Sequence, residues 1–278
     1  MIPRIVALHT YPIKGCAGVA LTDALLTPAG IAHDRTFLVV DERGVFRSQR
    51  RDPRLATIRP EVVDEGRELM LHAPGTDALR IAVDLDGPRR PVEMFGDPYR
   101  GIDQGDAVAE WLTHVLGSGS RLVRVPPDHD RVTDGETPGT AGYADSGALL
   151  LTSRASWVEL DRRIVGRDGE PVPMERFRPN VVVDGWVEPH VEDQVREASI
   201  GDTELGFAKL AIRCAVTLVD QRTGVRVGPE PLRTLADYRR ITDKGVAFGA
   251  KFSVLRPGRL AVGDELVVRR WFSAPVTA

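Results

Sequence analysis

The sequence predicts a β-rich α+β protein in two parts, and three observations carry that expectation. The first hundred residues break into short apolar runs separated by Gly, Pro and Asp turn signals. Helical periodicity surfaces in only three places. Over residues 126–142 the chain turns to Pro, Asp, Thr and Gly with almost no apolar content; a loop of that length is usually either disordered or functional, and it separates the halves. The expected division is an N-terminal part over residues 1–125, with a helix near its end, and a second part over residues 126–278. Strands near the N-terminus are free to interleave between the two.

In chain order, strands are expected at residues 4–9, 20–26, 36–41, 69–71, 79–83 and 92–95, with turns at Pro28-Ala29-Gly30, Asp41-Glu42-Arg43-Gly44 and Asp86-Gly87-Pro88. The run Thr36-Phe37-Leu38-Val39-Val40 is continuously apolar, as suits a strand buried on both faces, so this half reads as closed or sandwiched. The first helix follows Gly105, with Val108, Trp111, Leu112, Val115 and Leu116 at helical spacing, Asp106 placed to cap and Gly117 to stop it. A second helix is expected over residues 155–165, from Trp157, Leu160, Asp161 and Ile164. Ser156-x-x-Glu159 fits a capping box there, and Ser153 is the alternative cap. A third covers residues 232–240. Further strands are expected at residues 181–183, 209–219 and 260–269, and residues 126–142 are expected to shape any substrate pocket.

A formal net charge of −3 gives no global case for nucleic acid or an anionic membrane, so any anion site must be local. No apolar run approaches the roughly 20 residues of a membrane helix, and the opening apolar run is too short for a signal peptide before Tyr11-Pro12-Ile13-Lys14 interrupts it. Two cysteines far apart in sequence make no disulfide framework, and a reducing cytoplasm is the expected compartment. The scattered histidines offer neither a zinc site nor a serine-hydrolase order, and no glycine pattern makes a dinucleotide fingerprint.

Four clusters carry possible chemistry. Lys14 follows a strand end in Tyr11-Pro12-Ile13-Lys14-Gly15-Cys16, where Gly15 brings backbone N–H groups close to an anion; a surface lysine on a tight turn is the plain alternative. Arg35 stands at the mouth of the buried 36–41 strand and suits phosphate, or else an ion pair with Asp34 or Asp41. In Arg176-Phe177-Arg178-Pro179-Asn180 the proline is expected to hold Arg178 extended, so that Arg178 and Asn180 project to one side. Cys214, beside Arg213 in an apolar strand, is either a small buried hydrophobe or a thiolate ligand for a soft metal. Cys16 has the same two readings, with core the heavier.

Taken together these segments carry a resemblance that none carries alone. Tyr11-Pro12-Ile13-Lys14-Gly15-Cys16, Asp34-Arg35-x-Phe37-Leu38-Val39 and Gln49-Arg50-x-Asp52-Pro53-Arg54-Leu55 resemble the N-terminal β-barrel domain of MOSC proteins. Arg176-Phe177-Arg178-Pro179-Asn180, Ile200-Gly201-Asp202, Arg213-Cys214-x-x-Thr217-x-x-Asp220-x-x-Thr223-Gly224 and Pro231-Leu232-x-Thr234-Leu235-x-x-Tyr238-Arg239 resemble the MOSC domain itself. The likeness runs in order over almost the whole chain. In layout it is similar to the amidoxime-reducing components and their bacterial counterparts.

The resemblance implies an N-terminal β-barrel-like domain packed on a MOSC β-barrel domain with a few peripheral helices. It also implies a molybdenum cofactor (molybdenum–molybdopterin), with Cys214 as catalytic residue and thiolate ligand. Lys14, Gly15, Arg35, Asp145, Ser146, Gly147, Arg178, Asn180, Ile212, Arg213 and Lys251 stand where relatives contact the pterin or its phosphate. Such a cofactor calls for guanidinium, ammonium and backbone N–H partners, and a soft thiolate suits the metal. The implied activity is reduction of small N-hydroxylated compounds, and the alternative is a non-catalytic carrier of the cofactor or its sulfur. Gly15 replaces a serine common in eukaryotic relatives, Val195 a tryptophan, and Lys251 a tyrosine. No iron–sulfur cysteine set follows and no aminotransferase-like sulfurase domain precedes. A separate electron-donor protein carrying flavin, haem or an iron–sulfur group is therefore expected, and no nucleic-acid or membrane partner.

Overall fold

A nine-stranded mixed sheet organises the computed structural model, which describes residues 2–241 and 245–273. Its order is Val19–Leu21, Arg4–Thr10, Val181–Asp184, Leu149–Ser153, Gly245–Arg256, Thr203–Arg213, Val195–Ile200 and Leu266–Trp271, with Arg240–Ile241 paired to Gly245–Arg256. Only Leu149–Ser153 and Val181–Asp184 run parallel; the other pairs are antiparallel. The N-terminal strand thus lies inside a sheet otherwise built from the second half. Ile5, Leu8, Leu151, Val183, Leu205 and Phe252 bury the face that holds these distant segments together.

The barrels expected from the resemblance are not closed among the described residues. The large sheet curls until Ile5 N donates to Asp264 O at 2.9 Å, Gly263 N to Ile5 O at 2.8 Å and Leu266 N to Pro3 O at 2.8 Å. That contact is a local bridge beside the edge strand, not the continuous ladder closure requires. The first half divides instead into a four-stranded sheet (Phe37–Asp41, Ser120–Arg124, Asp97–Asp103, Arg89–Met94), a three-stranded sheet (Arg59–Val63, Glu68–Ala73, Thr76–Ala82), and another linking Asp23–Thr27, Gly30–Ile31 and Gly258–Ala261.

The Phe37–Asp41 strand is buried on both faces, as its composition requires. Phe37 and Val39 enter one core with Leu55, Leu112 and Leu122, while Leu38 and Val40 enter another with Met94, Val123 and Tyr143. Helix α1 (Asp106–Leu116) presents Val108, Leu112 and Leu116 to the first of these, one turn apart. Its cap is Gly105 rather than Asp106, and Gly117 ends it in left-handed backbone (φ 70°). Helix α2 (Arg154–Val165) is capped by Ser153, whose Oγ accepts from Ser156 N at 3.1 Å. The expected capping box at Ser156 does not form, because the helix already begins at Arg154 and the Ser156 hydroxyl, inside it, donates to Glu192 at 2.7 Å. Helix α3 is Leu232–Tyr238.

Other boundaries moved for local reasons. Residues 20–26 are two strands, Val19–Leu21 and Asp23–Thr27, and residues 260–269 divide around the turn at Gly263 (φ 98°). The strand expected over residues 209–219 begins at Thr203 and ends at Arg213. Thr217 ends it, since its backbone N–H and hydroxyl both donate to Cys214 O, at 3.1 and 3.0 Å, closing a 3-10 turn over Ala215–Leu218. The loop of residues 126–142 contains a small hairpin (Val132–Thr133, Gly139–Thr140), and Thr137 N donates to Phe207 O.

Candidate functional site

Where the N-terminal turns meet the end of the Thr203–Arg213 strand, a cavity of about 480 Å³ opens. The N-terminal half supplies Lys14, Gly15, Arg35, Phe46 to Arg50 and Phe95; the second half supplies Ala144 to Gly147, Phe177, Arg178, Asn180, Lys209, Leu210, Ile212 to Cys214, Thr217 and Lys251. Every site residue read from the sequence lies on this wall. None of residues 126–142 does, contrary to expectation. Arg131 acts from behind instead, donating to Gly142 O at 3.0 Å and Asp145 O at 2.9 Å, so the loop fixes one wall without entering it.

The wall is cationic. Lys14, Arg35, Arg47, Arg50, Arg178, Lys209, Arg213 and Lys251 line it, with Asp145 the one carboxylate among them. Three of the chain's four lysines are here. Lys209 and Lys251 are direct partners on adjacent strands, a placement unfavourable for like charges that Asp134 offsets by pairing with Lys209.

Each element explains a side chain's position. Lys14 N donates to Phe37 O at 2.9 Å, and Gly15 takes φ 84°, which aims the buried Lys14 ammonium at Tyr143 O (2.8 Å) and Asp145. Arg35 and Arg178 are non-glycine residues in left-handed backbone, φ 48° and 56°. The extended Arg178 expected from Pro179 is therefore wrong. Arg178 closes the 3-10 turn Met174–Phe177 (its N–H donates to Glu175 O at 3.1 Å), and that reversal outweighs the proline's preference. Strained residues of this kind persist where the surroundings hold them, and they cluster at functional sites. Both guanidinium groups lie 4.3 Å from the Tyr11 ring centroid.

Asn180 is structural within the site. Its Oδ1 accepts from Arg35 Nη1 (3.0 Å) and Leu150 N (3.1 Å), and its Nδ2 donates to His9 O (3.2 Å), so it orients Arg35. Asp34 also pairs with Arg35, so the plain ion-pair reading holds alongside placement on the cavity wall. Gln49 and Gln221, on different halves, bond each other at 2.9 and 3.0 Å, and Arg178 Nη1 donates to Gln221 at 3.1 Å. Lys251 Nζ donates to Ser146 Oγ at 2.6 Å. Gly147 (φ 81°) passes so near that a Cβ there would lie 3.2 Å from Lys251 Cβ.

Burial acts on all these charges. It lowers the pKa of Lys14 against the pull of Asp145, brings Arg178 down to about 10 and Lys251 to about 8, and lowers Arg213 against the neighbouring Cys214 sulfur. Burial pushes Asp145 up, but Lys14 and Lys251 overcome it and hold the carboxyl well below its usual range. Buried donors remain unmatched: Arg178 Nη2, Arg213 Nε and Arg47 Nε have no partner among the described residues. A buried guanidinium N–H left unpaired costs about 1–3 kcal/mol or more. The donor set fits a multiply charged anion rich in acceptors. Cys214, half-buried at the strand end, adds a thiol to that wall, whereas Cys16 is fully buried in the core with Ile13 and Leu55 and its thiol is pushed up to about 12.

Sequence reasoning missed Lys209, Arg47, Phe46, Phe95 and the Gln49–Gln221 clamp. The scarcity of lysine was the available signal for Lys209; the others depend on long-range packing. Among the described residues no helix is long and apolar enough to cross a membrane.

Comparison with known proteins matches residues 2–119 to the MOSC N-terminal beta barrel domain and residues 138–267 to the MOSC domain. The chain is 35% identical to mitochondrial amidoxime reducing component 2 of Rattus norvegicus, over 92% of this chain and 80% of that protein. It is 32% identical to mitochondrial amidoxime-reducing component 1 of Homo sapiens, over 95% and 82%. Molybdenum cofactor sulfurase of Danio rerio is 32% identical over 84% of this chain, which spans 30% of that longer protein.

Proposed function

The chain belongs to the family that joins a MOSC N-terminal domain to a MOSC domain, and on that premise we propose that it is a molybdenum-cofactor-dependent reductase of small N-hydroxylated compounds. The observation that carries this reading is the cavity's composition: a cationic wall with unmatched buried donors and one thiol at the end of a strand. Lys14, Arg35, Arg178, Arg213 and Lys251 hold the cofactor's anionic groups, and Gly15 and the Asp145-Ser146-Gly147 turn present backbone to it. Ile212 contributes apolar wall, Asn180 orients Arg35, and Cys214 supplies a soft thiolate ligand.

When bound, the cofactor supplies two-electron chemistry at molybdenum. The overall change takes N–OH, two electrons and two protons to N–H and water. The chain's residues orient and neutralise: Arg213 holds positive charge beside the thiol, and its bond to Phe177 O (2.6 Å) fixes the guanidinium. The electrons come from a separate carrier protein, as the resemblance to the amidoxime-reducing components implies.

Protein from a cofactor-producing host, assayed with benzamidoxime and reduced methyl viologen, should form benzamidine. Protein that retains molybdenum and pterin yet gives no turnover with any N-hydroxylated compound tried would favour the carrier reading.

A further inference from the structure

Beyond Arg50 the cavity rim continues onto a surface of its own character. Residues 219–228 leave the 3-10 turn that follows Cys214 and fold back on themselves, Asp220 N donating to Val225 O and Val227 N to Leu218 O, each at 2.8 Å. This loop lies against residues 50–57. Arg226 Nη2 donates to Arg50 O at 2.8 Å, and a Cβ on Gly224 would meet Thr57, Pro53 and Arg54 at 2.9–3.2 Å. Segments from the two halves of the chain therefore form one continuous face.

Arg50, Arg51, Arg222 and Arg226 are all exposed on it, and among the described residues none has a carboxylate within 4.0 Å. The nearby acids are engaged elsewhere. Asp52 is held by Arg47 and Arg54, and Asp220 Oδ1 accepts from Arg222 N, Thr223 N and the Thr223 hydroxyl. Among the arginines, Val225 and Val227 are 57% and 44% exposed. In a chain whose net charge is −3, four guanidinium groups without a carboxylate partner, beside exposed valines, run against the average surface. Arginine with a small apolar centre is the composition of a contact surface, and surface charge not neutralised by a carboxylate steers an oppositely charged partner.

We propose that this face docks an acidic electron-carrier protein, a conclusion that rests on the reductase reading and names the partner it needs. The reduction consumes two electrons that the carrier supplies and two protons from solvent, and the oxygen leaves as water. The face is suited by position as well as charge. It borders the cavity through Arg50, and only the turn Ala215–Leu218 separates its loop from Cys214. A small interface with screened charges gives the fast, short-lived contact that electron delivery requires.

The test is direct binding of oxidised flavodoxin, a strongly acidic flavoprotein, to the full chain. Wild type should bind at about 20 mM salt, and affinity should fall at least tenfold by about 300 mM as the charges are screened. Arg51→Glu with Arg222→Glu should weaken low-salt binding at least tenfold, whereas Arg259→Glu, on the Gly258–Ala261 strand outside the cavity wall, should leave it unchanged. The proposal is overturned by no binding at low salt, by equal binding of the double variant, by equal affinity for basic cytochrome c, or by tighter binding to phosphatidylserine vesicles. Turnover with reduced methyl viologen reads the reductase assignment separately, and the double variant should keep that rate. If the double variant loses the dye-driven rate as well, the arginines serve the site rather than a partner, and the docking proposal fails.

Discussion

Cys16 and Cys214 form a comparison within one chain. Both follow a strand-like apolar segment, and both have a basic residue nearby in sequence. Cys16 is sealed among Ile13, Leu55 and Leu112, where burial outweighs the pull of Arg178 and pushes its thiol up to about 12. Cys214 sits where Thr217 ends the strand, half-buried on a wall of lysine and arginine. Position at a strand end, more than local sequence, separates a packing thiol from one on the cavity wall.

The largest expected effect breaks that comparison outright. Cys214→Ser should lower N-hydroxylated-substrate turnover at least about 100-fold, since it removes a soft ligand rather than a supporting contact. Circular dichroism and melting temperature should barely change. Full activity in that variant would return Cys214 to the status of Cys16.

Arg178→Ala and Lys14→Ala probe the wall around the thiol. Each should weaken cofactor retention by about 1–3 kcal/mol, read as faster loss of molybdenum on dialysis. Lys14→Ala should also release Asp145, whose carboxyl then titrates closer to its ordinary range. Unchanged retention in both variants would mean that the cationic wall does not hold the ligand.

The smallest effect is a pH dependence. Burial brings Lys251 from 10.5 to about 8, so in the cofactor-free protein it is charged below about 8 and neutral above. Between about 8 and 10.5 the unfolded chain binds more protons at this residue than the folded one does. This residue's contribution therefore makes stability rise with pH across that window. Anion binding has the opposite sense, because it needs the ammonium. Sulfate affinity of the cofactor-free protein should fall several-fold between about pH 7 and 9, and Lys251→Met should flatten the profile. A profile unaffected by that change would assign the dependence to another group.

Much of this arrangement was legible in the sequence, and the part that was not has physical reasons. The doubly buried Phe37–Asp41 strand, the apolar stripe of α1 and its Gly117 stop depend on local periodicity and turn chemistry. The strand Gly245–Arg256 was missed, because its buried faces leave no clean alternation and Gly249 interrupts the run. Lys251, in that strand, was reached only through family resemblance. Arg178 was misread because the tight turn before Pro179 forces a left-handed backbone that no pair preference foretells. The Lys14–Asp145 pair joins residues 131 positions apart, and local sequence holds no trace of it. Closed barrels were expected from the likeness, but the described sheets keep their edges.

The most direct test of the central claim is the molybdenum content of Cys214→Ser and Cys16→Ser, purified side by side from a cofactor-producing host. The account predicts that Cys16→Ser keeps the wild-type ratio of molybdenum to folded protein and that Cys214→Ser loses most of it. The reverse pattern, or equal retention in both, would contradict the assignment of Cys214 as the metal-binding thiol.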